Sequence, residues 1–232
     1  MINLRMRIAT YNIHRAVGQD NRENPERIAT VLRELDADVV ALQEVGYEAE
    51  KPGNVLEYLA EAIHARVIEG VTLLDERGNY GNAVLTRLPV DRLHLHDISL
   101  PGREPRGAIE LHLKINAIEL QIIATHLGLR PGERRQQIEK LITVFNDSPA
   151  EIKILLGDLN EWFLWGRPLR SLYRLFGRTP APPTFPVRWP WFALDRIWVQ
   201  PLAALEQLQV HKSVISRQAS DHLPLFADLS IG

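Results

Sequence analysis

Apolar and polar positions alternate with two different periods along the chain, and each period predicts one kind of element. Met6–His14 has the pattern of a β-strand. Asn24-Pro25 then supplies an N-cap and a first helical position for an amphipathic helix. Val39–Val45 is a nearly continuous apolar run, which predicts a strand buried on both faces. A second helix is predicted at Val55–Ile63, so strands and helices alternate in this first part of the chain.

The middle of the chain is rich in strands, and the end mixes strands with helices. Gly, Pro and Asn separate five predicted strands at 65–74, 82–88, 92–98, 107–115 and 118–127. The pattern then predicts, in order, a helix at Pro131–Phe145, a strand at Lys153–Leu156, a helix at Pro168–Phe176, and strands at Leu194–Val199, Leu205–Val210 and Leu223–Leu229. Because apolar strands need cover on both faces, we expect an α/β fold of two packed mixed sheets flanked by helices, in a single domain spanning residues 1–232.

Composition places the chain among ordinary globular proteins. Of its 232 residues, 45% are hydrophobic and 24% are charged, which excludes the disordered, collagen-like and coiled-coil classes. The apolar runs are far shorter than the roughly 20 residues that cross a bilayer. The chain opens without an apolar signal stretch, so the cytoplasm is the expected location. The net charge of −2 gives no general attraction to polyanions, although it leaves a local basic groove open.

Polar residues collect where the predicted strands end. They are Asn12, Glu44, His126, Asp158, Asn160, Asp195, Asp221 and His222. Each has an ordinary structural explanation by itself, since a carboxylate can cap a helix and a lone histidine commonly makes a core hydrogen bond. If these strand ends meet at one edge of a sandwich, the carboxylates of Glu44, Asp158, Asp195 and Asp221 lie in one cleft. At an effective dielectric of about 20, like charges about 4 Å apart repel by roughly 4 kcal/mol. Such a cluster needs a cation, raised pKa values, or both.

The chemistry of the available ligands narrows the choice of cation. The chain has no cysteine, so a metal must be held by oxygen or imidazole. Oxygen ligands favour a hard divalent ion, with Mg²⁺ first and Mn²⁺ second, and Ca²⁺ is also compatible with them.

Three short motifs contain five of these polar residues and follow one another in a recognisable order. They are Gly-Asp-Leu-Asn at 157–160, Leu-Asp-Arg-Ile at 194–197 and Ser-Asp-His at 220–222. In this respect the chain resembles the endonuclease/exonuclease/phosphatase superfamily, which includes pancreatic-type deoxyribonuclease, abasic-site endonucleases, inositol polyphosphate 5-phosphatases and neutral sphingomyelinases. The resemblance runs from Asn12 to His222, nearly the whole chain. It implies a four-layer α/β/β/α sandwich and metal-dependent hydrolysis of phosphoester bonds.

The resemblance also implies roles for the strand-end residues. Glu44 matches the principal metal-binding glutamate of the family, Asn12 the asparagine beside it, and Asp221 the acid near the C-terminus. Asp158 corresponds to the aspartate that orients and deprotonates the attacking water. Asn160 corresponds to the asparagine that holds water or phosphate in line.

Two histidines match positions that contact phosphate. His222 would touch the phosphate while Asp195 orients its ring, because a carboxylate on one ring nitrogen favours imidazolium and leaves the other nitrogen to donate to the phosphoryl oxygens. His126 resembles a second phosphate-site histidine of the deoxyribonuclease and sphingomyelinase branches, which abasic-site endonucleases lack. The resemblance therefore leans away from dedicated abasic-site repair.

Two further residues match the family more loosely and are predicted to bind substrate. Asn82, in Tyr-Gly-Asn-Ala-Val-Leu at 80–85, either reaches the substrate or is a plain turn asparagine. Arg106, just before a predicted strand, either clamps a phosphate with two hydrogen bonds or is a surface arginine in a loop.

Aromatic and arginine residues are interleaved at Trp162–Arg178, directly after Gly-Asp-Leu-Asn. This stretch has three open interpretations. Its rings stack nucleobases, or they lie on a lipid headgroup layer, or the stretch is a helix that packs Leu169, Leu172 and Phe176 on the core with its arginines in solvent. Trp189, Trp191 and Phe192 are expected to form a wall of the same pocket.

The leading prediction is a divalent-metal-dependent phosphodiesterase that acts on nucleic acid by in-line attack of an activated water, without a covalent intermediate. The alternative is a lipid or inositol phosphate phosphoesterase. A phosphate-ligand binding protein without turnover is the alternative of another class. We expect a monomer with no transmembrane segment.

Overall fold

The computed structural model describes residues 4–47, 54–75 and 78–232. Its strands are β1 (Leu4–Asn12), β2 (Val39–Tyr47), β3 (Arg66–Asp75), β4 (Gly78–Thr86), β5 (Arg92–Asp97), β6 (Gly107–Ile115), β7 (Ile118–His126), β8 (Ile152–Asp158), β9 (Asp195–Gln200), β10 (Leu205–Val210) and β11 (Leu225–Ile231). Its helices are α1 (Pro25–Leu35), α2 (Val55–Ala62), α3 (Pro131–Asn146), α4 (Leu169–Phe176) and the short α5 (Ser216–Ala219). Every predicted strand and helix has a counterpart, with ends that differ by a few residues, whereas α5 was not predicted.

The strands form two mixed sheets. The first has six strands in the order β10-β11-β1-β2-β4-β3, and the second has five in the order β5-β6-β7-β8-β9. Each sheet contains one parallel pair, β1 with β2 and β7 with β8, and its other pairs are antiparallel. The predicted architecture of two mixed sheets is therefore confirmed.

Apolar side chains fill the space between the sheets and beneath the helices. Between the sheets, Ile8 and Val39 of the first sheet share one buried cluster with Ile122 and Ile154 of the second. Helices α1 and α2 pack on the outer face of the first sheet, and α3 and α4 pack on the outer face of the second. Since strands buried on both faces need a layer on each side, the result is the α/β/β/α sandwich that the resemblance implied.

Helix α1 begins where the sequence pattern places its start. The Asn24 side chain accepts a hydrogen bond from the Arg27 backbone N–H, and Pro25 occupies the first turn. The helix ends at Asp36, whose left-handed φ of 46° stops the helix. Among the described residues, no helix combines the length and the apolar character that a membrane span requires.

Candidate active site

Three neighbouring strands of the second sheet bring polar side chains into one row. In the ladder, His126 at the end of β7 pairs with Asp158 at the end of β8, and Asp158 pairs with Asp195 at the start of β9. Adjacent strands are about 4.8 Å apart, so paired residues on the same face are neighbours. All three side chains are buried. The predicted meeting of strand ends at one edge of the sandwich is therefore found here.

Glu44 reaches this row because β2 is irregular at that point. The register between β2 and β4 shifts between Leu42 and Val45, which is a β-bulge, and Glu44 adopts a left-handed φ of 57°. The Asn12 side-chain amide, at the end of β1, donates to Glu44 Oε1 at 2.9 Å and to Asp158 Oδ2 at 3.1 Å. Asn12 thereby joins a carboxylate of the first sheet to one of the second.

The turn after β8 fixes Asp158 and Asn160. Gly157 has a φ of 145°, and a Cβ at that position would lie 1.8 Å from the Thr125 carbonyl oxygen, so only glycine fits. Asp158 Oδ1 accepts the Asn160 backbone N–H at 2.8 Å. The Asn160 amide nitrogen lies 2.8 Å from the Leu127 carbonyl oxygen and 2.9 Å from His126 Nε2.

His222 is held as a charged ring. Its Nδ1 lies 2.8 Å from Asp195 Oδ2, which also accepts the Thr184 hydroxyl at 2.5 Å. Burial alone would lower the pKa of His222, but Asp195, with help from Asp158, raises it to about 10. The ring is therefore imidazolium at neutral pH, and its Nε2 lies 3.9 Å from Asp158 Oδ2.

His126, in contrast, is held as a neutral ring. Its Nδ1 lies 3.0 Å from the guanidinium of Arg106, which can only donate. Burial, and then the positive charge of Arg106, lower the pKa of His126 to about 3. The site thus contains one charged and one neutral imidazole on two sides of Asp158.

The two loosely matched residues lie inside the protein. Arg106 is buried and also donates to Glu104, so the interpretation as a surface loop arginine is wrong. Asn82 is buried within β4, so the interpretation as a turn asparagine is wrong as well. The Asn82 amide donates to the Gly107 carbonyl oxygen at 3.3 Å.

Asp221 lies at the rim of the cluster and remains partly exposed. Its Oδ1 is 3.3 Å from the Ser220 hydroxyl and 3.9 Å from His14 Nδ1. The Ser220 hydroxyl donates to the Asn12 carbonyl oxygen at 2.8 Å, which ties this segment to the end of β1.

Two residues in the site were missed by sequence reasoning. Thr184 donates to Asp195 from a loop, and no sequence signal points to it. The Tyr80 hydroxyl interacts with Glu44, and burial followed by the Glu44 charge raises its pKa, so it stays neutral. Tyr80 stands in the segment that suggested Asn82, and the Arg15 guanidinium lies over its ring at 4.5 Å.

The charge balance of the site fits a divalent cation. The charges of three carboxylates, Asp195, Asp158 and Asp221, act on the His222 imidazolium, and Asn12 joins Asp158 to a fourth, Glu44. The Arg106 guanidinium is paired with Glu104. In the described part of the chain, Asp195 Oδ1 is buried without a hydrogen-bond partner. Asp158, Asp195 and His222 offer ligand atoms within 4.8 Å of one another, but a protonated ring cannot ligate a metal. Asn12, Glu44 and Asp221 carry the oxygen ligands that a hard ion prefers.

The aromatic stretch after β8 divides into a packed helix and an exposed loop. Helix α4 buries Leu169, Leu172 and Phe176, while its arginines are exposed, as the third interpretation expected. The loop before it is exposed, and Trp162 packs edge-on against Phe192 at 4.6 Å.

Comparison with known proteins identifies the family. The model of the Endonuclease/Exonuclease/phosphatase family matches residues 9–222. YbhP of Escherichia coli K12, described as an uncharacterized protein, is 31% identical over 245 residues that cover 97% of this chain and 96% of YbhP. The chain belongs to the endonuclease/exonuclease/phosphatase family. Membership supports a metal-dependent phosphoesterase activity, in agreement with the buried acidic cluster.

Solved structures of the family share the fold. A family member from Bacteroides vulgatus has a TM-score of 0.79 at 20% identity, with 99% of this chain and 100% of that chain covered. TDP2 of D. rerio, solved in complex with a single-strand DNA product, has a TM-score of 0.72 at 17% identity, with 97% and 98% covered. Both structures contain the same sandwich.

Proposed function

We propose that this protein is a divalent-metal-dependent phosphodiesterase that hydrolyses its substrate by in-line attack of an activated water. One observation carries the proposal, namely that the Asn12 amide joins Glu44 to Asp158 across the two sheets. This contact brings the proposed metal ligand Glu44 next to a buried carboxylate, which supports a base and a cation acting side by side.

We propose Mg²⁺, or Mn²⁺ in its place, as the resident ion, held by Glu44, Asn12 and Asp221. The Asn12 amide and the Tyr80 hydroxyl contact Glu44 as neutral groups, which is compatible with its role as a ligand. When bound, the ion supplies positive charge to the phosphoryl and leaving oxygens.

Asp158 is the proposed base for water. It is buried, and its Oδ1 is fixed by the Asn160 backbone N–H. Asp158 takes a proton as the water oxygen bonds to phosphorus, and one P–O ester bond breaks. The leaving oxygen then takes a proton from solvent, so the products are an alcohol and a phosphomonoester. Asn160 holds the water or the phosphate in line with this bond.

The remaining residues are proposed to bind the phosphoryl group. His222, kept as imidazolium by Asp195, donates from Nε2 to the oxygens on which negative charge increases. Neutral His126 and the Arg106 guanidinium contact the same group from the other side, since Arg106 lies 3.0 Å from His126 Nδ1. Asn82 is proposed to reach the substrate from β4.

Two substrate classes are candidates. Nucleic acid is the class expected from the sequence, and the TDP2 structure, solved with a single-strand DNA product, is a precedent for it on the same fold. A phospholipid or inositol phosphate is the second class, and the exposed apolar loops next to His222 favour it.

The experiment compares plasmid DNA, single-stranded DNA, RNA, sphingomyelin, phosphatidylglycerol vesicles and inositol phosphates as substrates with Mg²⁺ present. We expect turnover of at least one phosphodiester, and its loss in Asp158→Asn. Asp147→Asn, at an exposed position after α3, is the matched control and should keep full activity. Tight phosphate binding without turnover of any substrate would instead favour the non-catalytic binding protein.

A further inference from the structure

Large apolar side chains project from two loops beside the site. The loop after β8 exposes four consecutive residues, Trp162, Phe163, Leu164 and Trp165. The loop before β9 exposes Trp189 and Trp191, which are 74% and 78% accessible. Single exposed apolar residues are ordinary, but a contiguous group of this size marks a binding surface. We call these six residues the apolar rim.

The backbone that carries the first part of the apolar rim is anchored from beneath. Glu161 accepts the Phe163 backbone N–H at 3.2 Å and forms a buried ion pair with Arg134 at 3.1 Å. The Tyr173 hydroxyl donates to the Leu164 carbonyl oxygen at 2.6 Å. The apolar side chains are therefore held outward by specific contacts.

The second part is a small hairpin that is anchored in the same way. The Trp191 backbone N–H donates to the Phe185 carbonyl oxygen at 2.9 Å, and the Trp189 backbone N–H donates to the Pro186 carbonyl oxygen at 3.1 Å. Trp162 contacts both Phe185 and Phe192, at ring distances of 6.1 and 4.6 Å, so the two loops form one surface.

This surface is strongly basic although the whole chain has a net charge of −2. Residues 162–194 contain no Asp or Glu and five arginines, all exposed, at positions 167, 170, 174, 178 and 188. No ion pair to these arginines occurs within the described ranges. Arg170 and Arg178 line a cleft of about 550 Å³ together with Leu164 and Trp165. Cationic and apolar groups are thus mixed on one face, which complements an anionic partner.

The arrangement of the side chains fits a bilayer better than a single strand of nucleic acid. The rings of Phe163 and Trp165 are tilted by 38° to each other at 5.7 Å, so they do not form one continuous stacking platform for consecutive bases. Leu164 stands between them and has no ring to stack. At a membrane surface, by contrast, Trp, Phe and Leu enter the boundary between headgroups and acyl chains while arginines attract anionic lipids.

We propose that the apolar rim docks the protein on a bilayer surface rich in anionic phospholipid, and that the substrate is a phosphodiester in a phospholipid headgroup. The substrate part rests on the proposed function, whereas the docking part does not. Trp162 contacts Phe185, whose ring lies 4.7 Å from that of His222, so docking brings the site to the lipid headgroups.

The test measures co-sedimentation with vesicles of phosphatidylcholine mixed with phosphatidylglycerol, and with vesicles of phosphatidylcholine alone. The test variants are Trp189→Ser/Trp191→Ser and Phe163→Ser/Trp165→Ser, which alter exposed positions only. Leu202→Ser is the matched control. Leu202 is an exposed apolar residue that follows β9, at the opposite end of this strand from Asp195. Binding of a single-stranded oligonucleotide and hydrolysis of a soluble chromogenic phosphodiester are measured on the same proteins.

We expect binding to mixed vesicles that weakens at least about tenfold in each double variant, since each removes two large apolar side chains from the lipid contact. The control variant should bind vesicles and hydrolyse the soluble substrate like the wild type. Docking is overturned if the wild type does not bind the vesicles, or if both double variants bind them as well as the wild type does. Docking is also overturned if the double variants lose oligonucleotide binding and keep vesicle binding. Rim-dependent vesicle binding without hydrolysis of any phosphodiester would retain docking and overturn the proposed function.

Discussion

Asp195 accepts a hydrogen bond from His222 within the buried row of strand ends, with 2.8 Å between Oδ2 and Nδ1. This contact accounts for the raised pKa of His222, against the opposing effect of burial. The raised pKa keeps the ring protonated at neutral pH, so Nε2 is available to donate to the proposed phosphoryl position.

Replacing Asp195 with Asn should therefore remove the imidazolium. We expect the pKa of His222 to fall from about 10 toward or below its ordinary value, and kcat to fall by roughly 100-fold or more. NMR titration of the imidazole resonances measures the pKa, and steady-state kinetics measure kcat. An unchanged kcat with a lowered pKa would show that the positive charge on this ring is not needed.

Metal affinity should depend on Glu44. Glu44→Gln keeps the shape of the side chain and removes the charge, so we expect Mn²⁺ affinity to weaken by at least about tenfold and activity to fall with it. Calorimetric titration with Mn²⁺ checks this expectation, and Glu139→Gln on the exposed face of α3 serves as the control. A Glu44→Gln protein with the wild-type titration curve would remove Glu44 from the ligand set.

Arg106 should affect both the KM for the substrate and the pKa of the neighbouring His126. In Arg106→Gln we expect KM to rise roughly tenfold and the pKa of His126 to rise from about 3, because a positive neighbour is lost while burial remains. The pH profile of kcat/KM and NMR titration of His126 separate the two effects. If neither KM nor the His126 pKa changed, Arg106 would have only a packing role.

Glu110 should make the free energy of unfolding depend on pH in the acidic range. This buried carboxylate accepts from His96 and His112 in β5 and β6, and these contacts, together with Gln121, lower its pKa against burial. Its folded pKa lies below the unfolded value, so its contribution is present above about pH 4.5 and is lost as pH falls through the folded pKa. We expect Glu110→Gln to cost roughly 1–3 kcal/mol of unfolding free energy near neutral pH and less near about pH 3.5. Urea unfolding at both pH values checks this, and a cost that grows on acidification would contradict it.

Much of the fold and of the site composition could be predicted from local pattern. Alternating apolar residues located the strands, and Asn24-Pro25 located the start of α1, because both signals act over a few neighbouring residues. The polar strand ends were found for the same reason, and the structure brings Asp158 and His126 together as expected. The functional roles of these residues, like the single-domain organisation, stay predictions.

Features that depend on distant contacts could not be predicted. The bulge that turns Glu44 inward depends on the register of β2 against β4, which the Gln-Glu sequence does not encode locally. Thr184 reaches Asp195 only through the path of a long loop. Arg106 lies in the loop before β6 and contacts His126 at the end of β7, which is distant in sequence, so its sequence context allowed a surface position equally.

The central claim is that an oxygen-held divalent ion and Asp158 act together on a phosphodiester. The most direct measurement is the hydrolysis rate of bis(p-nitrophenyl) phosphate by the wild-type chain with Mg²⁺ or Mn²⁺ and after chelation by EDTA. We predict turnover with the metal, loss of turnover on chelation, and recovery when the metal is restored. Equal rates with and without the metal would contradict the account.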